Sequence, residues 1–134
     1  MKIQTWLLGA FLGIAAVSAH GSSPTVVESF GCTYLEGKTK ADMDAAIEIW
    51  SQKVTAINNA DLNRYQVFVL TPVRATTEFD FVWLGVSPNL AIWGNGLDAY
   101  SSSPEGIEAQ AIFDSVVSCE SGIWFSERVF GIED

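Results

Sequence analysis

From Val26 to Leu35 the chain alternates with a period of two. Val26, Phe30, Cys32 and Tyr34 fall on one face, and Val27, Gly31, Thr33 and Leu35 on the other, which predicts a strand. Glu36-Gly37-Lys38 is a turn, and the period then lengthens. Met43, Ala46, Ile47, Trp50, Val54 and Ile57 recur at helical spacing and form one apolar stripe. Thr39 is placed to cap this helix, with Asp42 and Asp44 in the acidic first turn that helices prefer, and Asn58-Asn59 ends it.

A second strand is predicted over Tyr65 to Val73. Pro72 donates no ladder hydrogen bond, so it belongs at a sheet edge or a strand end. Arg74 to Thr77 makes a turn. Phe79 to Gly85 then reads as a third strand, with Phe79, Phe81 and Trp83 on one face and Asp80, Val82 and Leu84 on the other. Leu90 to Tyr100 has helical character but carries Gly94 and Gly96, so an irregular stretch is expected, with Gly94-Asn95-Gly96 as a turn or helix break. Ser103-Pro104-Glu105 has the composition of a helix start, and Ala109, Ile112, Phe113 and Val116 continue it at helical spacing. Ser121-Gly122 is expected to break the chain before a fourth strand, Ile123 to Phe130, and an acidic tail.

The predicted order is β-α-β-β-α-β, an α+β domain of the ferredoxin-like kind. Four antiparallel strands would carry the helices on one face. Several strands are apolar on both faces: Phe68 and Leu70 oppose Val67 and Val69, and Val82 and Leu84 oppose Phe81 and Trp83. A second copy of the chain is the simplest cover for the helix-free face, which predicts a homodimer; a monomer with surface hydrophobics is the alternative.

Ahead of this domain, Met1-Lys2 places a charge at the N-terminus and Trp6 to Val17 is apolar. Small residues follow up to Ala19. These are the three parts of a secretory signal peptide, residues 1–19, with cleavage after Ala19. The competing reading is a membrane anchor, for which the run is shorter than the roughly 20 residues a spanning helix needs. Residues 20–25 are expected to be a flexible entry and residues 26–134 a single domain. The expected location is periplasmic or secreted, with no membrane contact after processing.

Charge narrows the partners. The whole chain carries −9, and loss of Lys2 with the leader makes it −10. So acidic a chain repels phosphate backbones and anionic membranes, which argues against nucleic-acid binding. Solubility is the simpler reading of the charge than a cationic ligand. Cys32 and Cys119 are expected to bridge in an oxidising compartment, the alternative being two buried thiols.

Candidate chemistry is sparse. His20, the lone histidine, would become the first residue after cleavage, but a copper-holding histidine brace needs a second histidine. No metal site or cofactor is expected, and no nucleophile, zinc or phosphate-loop motif occurs. The chain is rich in Tyr34, Trp50, Tyr65, Trp83, Trp93, Tyr100 and Trp124, residues that line clefts or fill cores. Asp80 sits in an apolar strand, where a buried carboxylate needs a partner; Arg74 and Arg128 are candidates, and an exposed edge position is the alternative. Glu28 and Glu127 raise the same question more weakly. The residues expected to touch a ligand are Trp83, Trp93, Asp80, Tyr65 and Arg74.

On its element order, on Phe79-Asp80-Phe81-Val82-Trp83-Leu84-Gly85 and on its tryptophan-bearing helices, the chain resembles the dimeric α/β-barrel superfamily over residues 26–130. That superfamily includes antibiotic-biosynthesis-type monooxygenases, NIPSNAP-like proteins and chlorite dismutases. The resemblance implies two sheets face to face in a homodimer and a ligand cleft between sheet and helices. Its haem members bind iron through a histidine, which the mature chain offers only at His20. Three functions are then in view. The first is binding of a small hydrophobic or planar molecule in an aromatic cleft. The second is a cofactor-independent, monooxygenase-like enzyme, and the third a structural or interaction dimer without a ligand site.

Overall fold

The computed structural model describes residues 24–74 and 78–126. The leader, His20, residues 75–77, Glu127, Arg128 and the acidic tail lie outside the described residues.

The elements are β1 (Thr25–Tyr34), α1 (Lys40–Ile57), a 3₁₀ turn (Leu62–Arg64), β2 (Gln66–Leu70), β3 (Phe81–Ser87), α2 (Leu90–Ser102), α3 (Pro104–Asp114) and β4 (Val117–Ser126). The strands form one antiparallel sheet in the order β2-β3-β1-β4. The ferredoxin-like α+β arrangement is therefore present, with an extra helix before the last strand.

Register assigns the faces. Glu28 lies opposite Gly85 and Ile123, Phe30 opposite Trp83 and Ser121, and Cys32 opposite Phe81 and Cys119. This face carries the core: Cys32, Phe81 and Trp83 are buried against Met43 and Ala46 of α1 and against Val116 and Val117. The opposite face presents Phe68 and Leu70 of β2, Leu84 of β3 and Trp124 of β4.

Caps account for the helix starts. The Asp42 carboxylate accepts the Thr39 backbone N–H at 2.9 Å and its hydroxyl at 2.7 Å, opening α1. Asn58, in the left-handed region at φ 52°, closes it. Ser103 Oγ accepts the Gly106 N–H at 3.0 Å, and Pro104 opens α3.

Several expectations are corrected. Leu90 to Tyr100 is a regular helix, because the Asn89 side chain accepts the Ile92 N–H at 3.0 Å and Gly96 packs against the Leu62 backbone. Gly94-Asn95-Gly96 lies inside that helix and breaks nothing. Ser121-Gly122 lies inside β4, held by pairing with Phe30 and Ser29, while the Trp124 indole covers Gly122 and donates to Ser29 Oγ at 2.9 Å. Strand β2 stops at Leu70, leaving Pro72 beyond its end and Val73 wholly exposed. Strand β3 begins at Phe81, so Phe79 and Asp80 precede it. Val116 is buried in the turn after α3 and not on the helix.

Candidate functional site

Between the sheet and the helices lies a cavity of about 400 Å³. Each layer supplies an aromatic wall: Trp50 from α1, Trp93 from α2, Phe113 from α3, and Phe30 and Trp83 from the sheet. Trp83 is the hub. Its ring centroid lies 5.1 Å from Trp50 and 5.1 Å from Phe113, both edge to face, the arrangement that ring quadrupoles favour. Trp50 therefore belongs both to the core margin and to the cavity.

One carboxylate sits among these rings. Glu28, half-buried on central strand β1, accepts the Tyr65 hydroxyl at 2.9 Å and the Trp93 indole N–H at 3.4 Å, both on Oε2. The sequence builds this locally. Glu28 shares its face with Val26, Phe30 and Cys32, and its cross-strand neighbour is Gly85. With no side chain at Gly85, the Tyr65 ring lies over β3 and reaches the carboxylate; a Cβ there would strike the Tyr65 hydroxyl and ring. Burial, and then the Glu28 charge, raise the Tyr65 pKa above its ordinary 10.0, so this phenol stays protonated as the donor. Burial also raises Tyr100, another lining residue.

The charged residues lining the cavity are Glu28, Asp61 and Asp114, and none of the described lining residues is basic. Asp61 accepts the Asn95 side chain at 2.9 Å, and Asp114 accepts the Gln110 side chain at 2.8 Å. Among the described residues, no group of three His, Cys, Asp or Glu is placed to hold a metal ion.

Of the five residues expected to touch a ligand, Trp83, Trp93 and Tyr65 line the cavity together, whereas Asp80 and Arg74 do not. Asp80 is exposed just before β3, and its carboxylate accepts the Tyr34 backbone N–H at 2.8 Å. Arg74 is exposed and makes no ion pair with it. Glu28 is the residue that sequence reasoning underweighted. Its signal was an acid at the same parity as buried Val26 and Cys32 and half-buried Phe30.

Cys32 and Cys119, both in the cavity lining, are joined by a disulfide between adjacent strands, with their Cα atoms 4.1 Å apart.

No family model and no curated protein matches the sequence. Solved structures do match the fold. A cofactor-independent oxygenase from Streptomyces nogalater, SnoaB, is 9% identical, with a TM-score of 0.55 over 80% of this chain and 97% of that one. A dimeric ferredoxin-like protein of unknown function from Thermobifida fusca is 14% identical, with a TM-score of 0.56 over 78% and 92%. A hydroxynitrile lyase from Passiflora edulis is 12% identical, with a TM-score of 0.56 over 81% and 98%. At such identities the likeness is one of architecture: the chain is a ferredoxin-like α+β domain, with the helices of that fold on one face of its sheet.

Proposed function

We propose that this is an exported protein that binds a small hydrophobic or planar molecule between its sheet and its helices. The observation that carries the reading is the aromatic cavity of about 400 Å³, a size and lining suited to a compound of a few fused or linked rings. The Cys32–Cys119 disulfide supports a working life in an oxidising compartment, periplasmic or extracellular. Native mass spectrometry of protein from its own source tests both parts. The expected species begins at His20 and retains a small organic adduct. A species without adduct, whose tryptophan fluorescence also ignores a neutral probe such as naphthalene, defeats the binding reading.

One observation favours a second reading, an enzyme working without a cofactor. The Glu28 carboxylate faces the same cavity and is placed to take a proton from a bound compound. Conversion of a retained compound that ceases in Glu28→Gln supports this reading; no conversion in the native protein removes it.

The helix-free sheet face is proposed to meet a second copy of the chain. Phe68, Leu70 and Trp124 are all about half exposed or more on it (49%, 48% and 61%), and the similar Thermobifida fusca protein is described as dimeric. Light scattering should give a dimer mass, and Phe68→Glu should give a monomer. A monomer mass for the unaltered chain at tens of micromolar overturns the proposal.

A further inference from the structure

The cavity's electrostatics are one-sided. Its walls are rich in aromatic rings, and its charged lining residues are all carboxylates. Of these, Glu28 lies on central strand β1 and is half-buried, whereas Asp114 is exposed. Its two hydrogen bonds, from Tyr65 and Trp93, both arrive on Oε2, and Oε1 receives none from the described residues. A carboxylate is an acceptor only, and this oxygen is open to take a donor or a cation. An anionic ligand would meet three carboxylates along the lining, two of them half-buried, with no lining Lys or Arg to offset them. Among the described residues the basic side chains are occupied or placed elsewhere: Lys40 pairs with Asp44, Lys53 with Glu108, and Lys38, Arg64 and Arg74 are exposed outside the lining.

We infer that the cavity selects a hydrophobic organic cation, an alkylated or aromatic ammonium whose charge sits beside the Glu28 carboxylate, on the side of Oε1, among the aromatic rings of the lining. This rests on the proposed small-molecule binding and names its ligand class. It also gives part of the chain's acidity a role beyond solubility. The aromatic lining takes the hydrocarbon of such a cation out of water, and aromatic cages hold quaternary ammonium groups in this way. Glu28 supplies the counter-charge, and its two donors aim it.

The test compares three probes of matched shape on the intact, oxidised chain, read by calorimetry or tryptophan fluorescence. They are benzyltrimethylammonium, its uncharged carbon analogue neopentylbenzene, and the anion phenylmethanesulfonate. The cation should bind at least about tenfold more tightly than the neutral analogue, the ratio a desolvated cation–π contact with a counter-ion supplies, and the anion should not bind. Equal binding of the cation and the neutral analogue overturns the charge inference and leaves the hydrophobic-binding reading standing. Binding of none defeats both. Glu28→Gln keeps an acceptor for Tyr65 and Trp93 but removes the charge. It should cost the cation about tenfold and the neutral analogue less than twofold. Undiminished cation binding in that variant overturns the role given to Glu28. The comparison of probes on the unaltered chain is decisive without any variant.

Discussion

At the scale of single residues, the arrangement of Glu28, Tyr65 and Gly85 is a three-part fit. Tyr65→Phe removes a hydrogen bond to a carboxylate and should lower stability by about 1.5 kcal/mol in a denaturant titration, the low end for charged acceptors because Glu28 is only half-buried. It should also change the alkaline limb. The Tyr65 pKa is raised in the folded state, so the unfolded chain releases that proton first. Its contribution is whole below about pH 10 and is lost as pH rises beyond, and Tyr65→Phe should make that loss shallower. Tyr34 and Tyr100, also raised, keep some slope. Gly85→Ala should destabilise strongly alone but be nearly neutral in a Tyr65→Ala background, since the ring is what the new Cβ strikes. Equal costs in both backgrounds would mean that Tyr65 does not lie over Gly85. These partners are 20 and 37 residues from Tyr65, and no local pattern links them. The aromatic richness was legible in the sequence, whereas the Glu28 carboxylate was visible only through the strand parity it shares with Phe30.

At the scale of elements, the outcome depended on whether local chemistry or long-range pairing decides. Strand β1, α1, the Glu36-Gly37-Lys38 turn and the start of α3 are set by local signals, and they stand where periodicity and capping residues put them. Two elements were misread for one reason. Glycines in α2 and the Ser121-Gly122 pair in β4 weaken local preference, and tertiary contacts override them: the Leu62 backbone beside Gly96, and the β1 ladder beside β4. The Asn89 cap then carries unusual weight for a helix containing Gly94 and Gly96. Asn89→Ala should cost about 1 kcal/mol and lower hydrogen-exchange protection across Leu90–Ser102. Because α2 brings Trp93 to the cavity, the same variant should weaken ligand binding; unchanged protection there would show that packing alone holds the helix.

At the scale of the molecule, the ferredoxin-like order followed from counting periods, and the pairing order β2-β3-β1-β4 is the one that architecture implies. A cleft between sheet and helices was expected from the resemblance alone, since no local pattern records a space left between three helices, two of them consecutive, and the sheet. The disulfide between Cys32 and Cys119 spans a sequence separation of 87, and chain-entropy reasoning gives such a loop about 4 kcal/mol. Reduction should shift the denaturant midpoint down by a corresponding amount; an unmoved midpoint would assign the stability to packing alone.

That same bond has a consequence for how the molecule breaks. The exposed turn at Lys38 lies inside the covalent ring closed by Cys32 and Cys119. A protease cutting there leaves the two pieces tied, so the nicked protein migrates as one body and gains only the mass of a water. Treatment with a thiol would then release a short N-terminal fragment ending in Lys38, which contains β1, the strand that carries Glu28 and pairs with both β3 and β4. In an oxidising setting the protein would outlive a cut at that point, and in a reducing one the cut would remove the centre of its sheet.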